Sequence, residues 1–223
     1  MPGTFTFTCY LQVINKYFKK ENMRKLIVLT FVTMDGVMQA PGGPEEDAEG
    51  KFTQGGWSVG YWDQVMDGVM TEQMGHPFDL LLGRKTYEIF AGYWPTSKEP
   101  GADALNKAKK YVASRTLKNL TWENSVLLTG DTAAKIKKIK DQDGPELQVH
   151  GSSNLIQTLL KNDLVDEFCL KIFPVTIGAG KRLFGDGTFP ASFKLIESRS
   201  SPKGVLVATY VRDGNIKSGS FGA

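Results

Sequence analysis

Cysteine and histidine are the scarce residues of this 223-residue chain, with two of each: Cys9 and Cys169, His76 and His150. Two cysteines cannot build a disulfide framework or a CxxC knuckle, and two histidines fall short of a zinc cluster, so metal-centred and disulfide-centred explanations are set aside. Charge of one sign is also lacking. The formal net charge is +3, too small to argue for nucleic acid or an anionic membrane as a partner. No apolar run approaches the ~18 residues of a membrane helix. Residues 1–22 (MPGTFTFTCYLQVINKYFKKEN) have no basic leading region and no Ala-x-Ala pattern, and they end in Lys19, Lys20 and Glu21, so they make a poor signal peptide and the expected compartment is the cytoplasm. What remains is ordinary globular chemistry, 41% hydrophobic and 23% charged, with 24 glycines and 10 prolines in no collagen period.

Met23-Arg24-Lys25 directly precedes the first strong strand signal, so residues 1–22 read as an extension outside the fold, 23–214 as one domain and 215–223 as a flexible tail. KLIVLTFVTMDG, from Lys25, is a β-branched, apolar run closed by Asp35-Gly36 and reads as a buried strand. Residues 41–56 (PGGPEEDAEGKFTQGG) carry no apolar periodicity and form a long loop, either a lid or a solvated insertion. Trp57 to Met74 has helical spacing in Tyr61, Val65, Met66, Val69, Met70 and Met74.

The pattern then alternates. FDLLL (78–82), KKYVAS (109–114), SVLLTG (125–130) and ELQVHG (146–151) read as strands. Helices are expected from about Thr86 to Tyr93, over 131–141 and over 152–162. Such alternation points to βαβ units and a largely parallel sheet. The last three strand-like runs, 166–175, 192–201 and 204–213, have no helix between them, and Ser201-Pro202-Lys203-Gly204 joins the final two as an antiparallel hairpin. The expected fold class is therefore α/β: a mixed sheet with a parallel core, an antiparallel C-terminal edge and flanking helices.

In an open α/β sheet, ligands bind beyond the carboxyl ends of the parallel strands, where helix N-termini point free amides. Four such junctions occur: Gly83-Arg84-Lys85-Thr86, Ser114-Arg115-Thr116, Gly130-Asp131-Thr132 and Gly151-Ser152-Ser153-Asn154. Each suits phosphate oxygens, and each is equally a set of common capping residues. Arg84, Lys85 and Arg115 would favour a terminal phosphate, such as the 2′-phosphate of NADP, if their strands are neighbours. Gly178-Ala179-Gly180 begins like GxGxxG but has Leu183 at the third glycine and opens no helix. Gly180-Lys181-Arg182 is no P-loop. A dinucleotide would bind here by another geometry.

TFVTMDGVMQAPGG (30–43), DLLLGRKTYEIFAGYWP (79–95) and LQVHGSSNLIQTLLKNDLVDEFCLKIFPVTIGAGKRLF (147–184) together resemble the dihydrofolate-reductase-like superfamily. Within it the chain looks most like the reductase domain of the bifunctional riboflavin-biosynthesis deaminase/reductase and its standalone relatives, over about residues 24–213. The resemblance implies a dihydrofolate-reductase-like mixed sheet flanked by helices, NADP(H) as hydride donor, and commonly a homodimer. It assigns Gly83, Arg84, Lys85 and Thr86 to the junction that holds the cofactor phosphates, and Ser114 and Arg115 to the adenosine 2′-phosphate. Gly151, Ser152 and Ser153 fall at the turn that receives the pyrophosphate, and Gly178, Gly180 and Lys181 in a loop touching cofactor or substrate. The zinc deaminase signature H-x-E…P-C-x-x-C is absent, so the likeness is to the reductase half alone.

Hydride transfer needs the nicotinamide held close to the acceptor and often an acid to protonate the product. Dihydrofolate reductases use a carboxylate on the helix before the GRxTY-like junction, where this chain offers Asp67 and Asp63; Asp35 is a third candidate, though Asp35-Gly36 is also a turn. Trp57, Tyr61 and Trp62 are candidates to stack on a flat substrate, or are core. The expectation is an NADPH-dependent reductase of a small pteridine- or pyrimidine-like heterocycle, with a non-catalytic NADP(H)-binding or regulatory module as the alternative. A serine or aspartate hydrolase is disfavoured, because no GxSxG occurs and His150-Gly151-Ser152 is a local coincidence.

Overall fold

The computed structural model describes residues 23–186 and 188–222, so the expected extension 1–22 lies outside the described residues. Within them the strands are β1 (Leu26–Thr33), β2 (Phe78–Gly83), β3 (Lys110–Ala113), β4 (Ser125–Leu128), β5 (Glu146–His150), β6 (Glu167–Phe173), β7 (Phe193–Ser200) and β8 (Leu206–Arg212). The helices are α1 (Gln64–Met74), α2 (Arg84–Tyr93), α3 (Ala102–Lys107), α4 (Thr132–Lys140) and α5 (Ser153–Lys161). All eight strands join one sheet in the order β4-β3-β2-β5-β1-β6-β8-β7. β4 through β6 are parallel, and β8 and β7 add on antiparallel.

β1 is central because it is apolar on both sides. Leu26, Val28 and Val32 face one helical layer, in which α4 contributes Ile136 and Ile139 and α5 contributes Leu155, Ile156, Leu159 and Leu160. Ile27 and Leu29 face the other, against Met66 and Val69 of α1. On that second face Leu80 and Leu82 of β2 meet Tyr87 of α2 and Leu105 of α3. Helices thus cover both faces, as two-sided apolar strands require. The final hairpin closes where the turn residues predicted it: Gly204 adopts φ +85° and its N–H donates to the Ser201 carbonyl at 2.9 Å.

Two local expectations change. The helix expected from Trp57 begins only at Gln64, because Asp63 has extended backbone and its carboxylate accepts from the Val65 and Met66 amides, while 57–62 form turns with a short 3-10 segment at Val59–Tyr61. α2 starts two residues early, at Arg84, directly after Gly83, the last residue of β2, which serves as its extended cap. α3, only six residues long, is too short to show a helical period, and nothing in the sequence reading called it.

Val28 is fully buried between β5 and β6, so its exchange tests how tightly the sheet centre is packed. Val28→Thr is expected to lower unfolding free energy by ~1–3 kcal/mol in urea titration, because the hydroxyl loses water at nearly unchanged shape. The same exchange at exposed Val126 on the edge strand β4 is expected to stay within ~0.5 kcal/mol.

Candidate functional site

Parallel pairing brings the carboxyl ends of β1, β2, β3 and β5 to one edge, and a cleft of about 1090 Å³ opens there. Small-ligand sites usually enclose ~300–1,000 Å³, so this one has room for a large cofactor together with a small molecule. Three of the four sequence junctions meet on it: Gly83 to Thr86, Ser114 to Thr116, and Gly151 to Asn154; of the fourth, only Thr132 borders it.

The helix starts explain what this end can bind. α1 and α4 are capped by carboxylates, Asp63 and Asp131, which accept from their first amides. α2 and α5, whose first turns border the cleft, have Gly83 and Ser152 at the cap and no side-chain hydrogen bond to their amides. Ser152 spends its hydroxyl elsewhere, donating to Thr86 Oγ1 and accepting from the Gly83 N–H, both at 2.9 Å, which stitches the two starts together. Gly151 and Ser152 both lie in the left-handed region, at φ +65°. Two helix N-termini with uncommitted amides, side by side, are an anion site. Arg115, exposed at the end of β3, takes part in none of the ion pairs among the described residues, whereas Arg84 is tied to Glu88 at 2.9 Å. These donors fit the phosphates of a dinucleotide.

The loop 41–56 forms one wall. Gln39 holds its base, donating to the carbonyls of Asp47 and Glu49 at 2.9 Å each, and Trp57 Nε1 donates to the Gln39 carbonyl at 2.7 Å. Lys181 Nζ reaches Asp47 at 2.6 Å and Glu49 at 2.7 Å. Burial works against the Lys181 charge, but these hydrogen bonds outweigh it and hold the ammonium above its ordinary pKa. Across the cleft mouth, Lys85 lies 3.7 Å from the other Asp47 oxygen.

The three candidate proton donors are placed elsewhere. Asp63 is the cap of α1 and also accepts from the Lys203 N–H at 3.3 Å; burial opposes its charge, and hydrogen bonds from Ser201, Met66, Lys203 and Val65 prevail, keeping it below the usual carboxylate range. Asp67 accepts from Trp62 Nε1 at 2.6 Å on the exposed side of α1. Asp35 accepts from the Thr33 hydroxyl at 2.5 Å and from the Ile177 and Gly178 amides, which lower its pKa. None of the three borders the cleft. Gly178 and Gly180 do not border it either. Gly178 belongs to the clamp on Asp35, and a Cβ on Gly180 would come within 2.8 Å of Val37 Cγ1, so glycine there serves packing. Of the aromatic trio, only Trp62 reaches the cleft; Trp57 and Tyr61 pack edge-on against Phe173 at 5.3 and 6.2 Å.

The polar groups that do reach the far end are Lys171 and His150, which the sequence reading did not select. Lys171 is 1% exposed and His150 half-buried, on β6 and β5. Lys171 Nζ donates to Gln73 Oε1 of α1 at 2.7 Å and sits 5.8 Å from the Phe31 ring centre. Burial pushes the Lys171 amine down to about 8, and burial with the Lys171 charge pushes His150 down to about 3, so the imidazole is neutral. The available signal was a lysine within the apolar strand EFCLKIF, a residue seldom buried without cause. Phe31, Trp62, Met70, Met74 and Phe90 complete an apolar wall around it.

A lysine that titrates at about 8 when folded and at an ordinary 10.5 when unfolded binds fewer protons in the native state between those values, so stability rises with pH across that window. At pH 7 its burial penalty is fully present. Lys171→Met is expected to raise unfolding free energy at pH 7 by on the order of 1–3 kcal/mol and to flatten that rise, read from urea midpoints over the pH range. Lys110, which burial also lowers to about 8, contributes to both proteins, so the difference between the two curves isolates Lys171.

Comparison with known proteins agrees with this architecture. The uncharacterised protein YyaP of Bacillus subtilis (strain 168) is 29% identical over 194 residues, covering 84% of this chain and 94% of its own. A putative riboflavin biosynthesis protein from Shewanella sp. PV-4 superposes with a TM-score of 0.66 at 23% identity, over 85% of this chain and 99% of that one. Dihydrofolate reductase from Enterococcus faecalis, solved with NADP(H), superposes with a TM-score of 0.55 at 15% identity, over 85% and 96% of the two chains. The model of the RibD C-terminal domain matches residues 24–207, and the chain belongs to that family.

Proposed function

We propose that the protein is an NADPH-dependent reductase that transfers a hydride to a small heterocyclic substrate. The observation that carries this reading is the pair of uncapped helix starts, α2 and α5, opening onto the same cleft as an apolar, aromatic-lined end. Family membership supports reductase chemistry on a heterocycle, and the fold shared with an NADP(H)-bound reductase supports the cofactor. NADPH supplies the hydride when bound. The amides of α2 and α5 would hold its pyrophosphate, with Lys85 nearby, and Ser114 and Arg115 would hold the 2′-phosphate. Phe31, Trp62, Met70 and Phe90 keep water from the acceptor and give it a flat wall.

A homodimer is part of the same reading. It is supported by the β7–β8 edge, where Leu195, Ile196 and Leu206 are exposed. Among the described residues no helix is long and apolar enough to cross a membrane.

Cofactor choice tests the phosphate assignment. NADPH is expected to raise the thermal unfolding temperature more than NADH at equal concentration, and Arg115→Ala to cut NADPH affinity roughly 10- to 100-fold while leaving NADH affinity nearly unchanged. Equal shifts with both nucleotides would reject the 2′-phosphate assignment. NADPH binding without oxidation across a panel of heterocyclic acceptors would instead favour the non-catalytic module.

A further inference from the structure

The cleft's apolar end has a polar floor of unusual sign. We infer that the Lys171 ammonium is the specificity-determining contact of the substrate site, and that it recognises a flat heterocycle through a hydrogen-bond-accepting oxygen, a carbonyl or its anion. This rests on the reductase reading only in taking the ring to be the hydride acceptor.

The argument is one of hydrogen-bond accounting. An ammonium carries three N–H donors. Gln73 Oε1 takes one, and Gln73 is itself fixed, since its Nε2 donates to Cys169 Sγ at 2.9 Å and its carbonyl accepts from Gln148 Nε2 at 2.9 Å. The other polar group of that end is engaged: His150 Nε2 pairs with Gln148 Oε1 at 2.9 Å. Lys171 takes part in none of the ion pairs among the described residues; of the ionisable side chains acting on it, His150 is neutral and the Cys169 sulfur already accepts from Gln73 Nε2. A cation 1% exposed with a single hydrogen-bond partner among the described residues is costly, and a site that tolerates it has a use for it.

The wall states the other half. Phe31, Trp62, Met70, Met74 and Phe90 accept the faces of a flat ring. Asp63 and Asp67 point away from the cleft, and of the acids that line it Asp47 and Glu49 are engaged by Lys181, Glu46 by the Gly42 amide and Glu99 by the Tyr93 hydroxyl. A ring edge that donates N–H groups would meet an ammonium donor and be left unpaired, whereas an oxygen edge completes it.

Two rings of one skeleton separate the cases. Pteridine-2,4-dione and 2,4-diaminopteridine have the same shape, with oxygens exchanged for amino groups. Binding is measured calorimetrically to the full-length protein, with and without NADP+. The dione is expected to bind at least ~10-fold more tightly, and Lys171→Met to reduce that preference to less than ~3-fold, with Lys171→Arg keeping part of it. Folding of both variants is read from their urea midpoints. Tighter or equal binding of the diamino ring, a preference that survives Lys171→Met, or no binding of either ring overturns the inference. The NADPH thermal shift is read separately. Its absence together with a Lys171-dependent preference for the dione removes the cofactor reading and leaves this one standing, and the reverse outcome removes this one alone.

Discussion

The parallel pairing of β1 with β5 on one side and β6 on the other is the constraint on which the site depends. It sets Leu29 opposite His150 and Phe31 opposite Lys171, so that the ring wall, the imidazole and the ammonium share the face covered by α1. It also aligns the strand ends, so that the chain leaves β2 and β5 into helices whose first amides open on the same side. Shifting β1 by one residue would move Lys171's neighbour Phe31 to the opposite face and bury the wrong half of the strand. The registers are held at the entry of β1, where Asp166 accepts from the Leu26 amide and from Lys140 and Arg24 pairs with Asp79.

Charge is divided along the cleft in a way that the total of +3 conceals. At the end where α2 and α5 begin, peptide dipoles already oriented by the helices add to the charges of Arg84, Lys85 and Arg115. The acids of the loop 41–56 lie on the opposite wall, and Asp47 and Glu49 are neutralised by Lys181. Lys85 stands between the two regions, within reach of Asp47 and on the first turn of α2. An anion bound there would compete with Asp47 for the same ammonium.

Much of the fold was legible because parallel strands buried on both faces read as continuous apolar runs, and β2, β4 and β5 are each followed directly by a helix. The junctions at Gly83, Ser114 and Gly151 were legible because small residues stand where the strands end, and at Gly151 and Ser152 the turn into α5 is left-handed. What the sequence could not show is where a side chain spends its hydrogen bonds. Asp63 looked like a candidate acid because the expected helix from Trp57 included it and the resemblance puts a carboxylate on that helix; three backbone amides claim it instead. The resemblance put Gly178 and Gly180 in a loop touching cofactor or substrate, and their conformation serves contacts with Asp35, Val37 and Phe52, residues more than 120 positions away in the chain. Lys171 was hidden by the opposite error, since one lysine within a strand reads as an edge or a solvated position until its neighbours are known.

The two ends of the cleft treat charge differently, and the difference follows from what each must hold. A phosphate carries its own charge, so uncommitted amides suffice and the empty site is inexpensive to maintain. A neutral ring carries no charge, and an apolar wall alone would bind it without fixing its orientation. Orientation requires a directional polar contact, and in a water-poor pocket that contact is strongest when one partner is ionised. An ammonium held by Gln73 beneath Phe31 meets that requirement, and its burial cost belongs to the binding site rather than to the stability of the sheet. A side chain whose burial weakens the free protein at neutral pH is on this argument the one that gives the apolar end its selectivity.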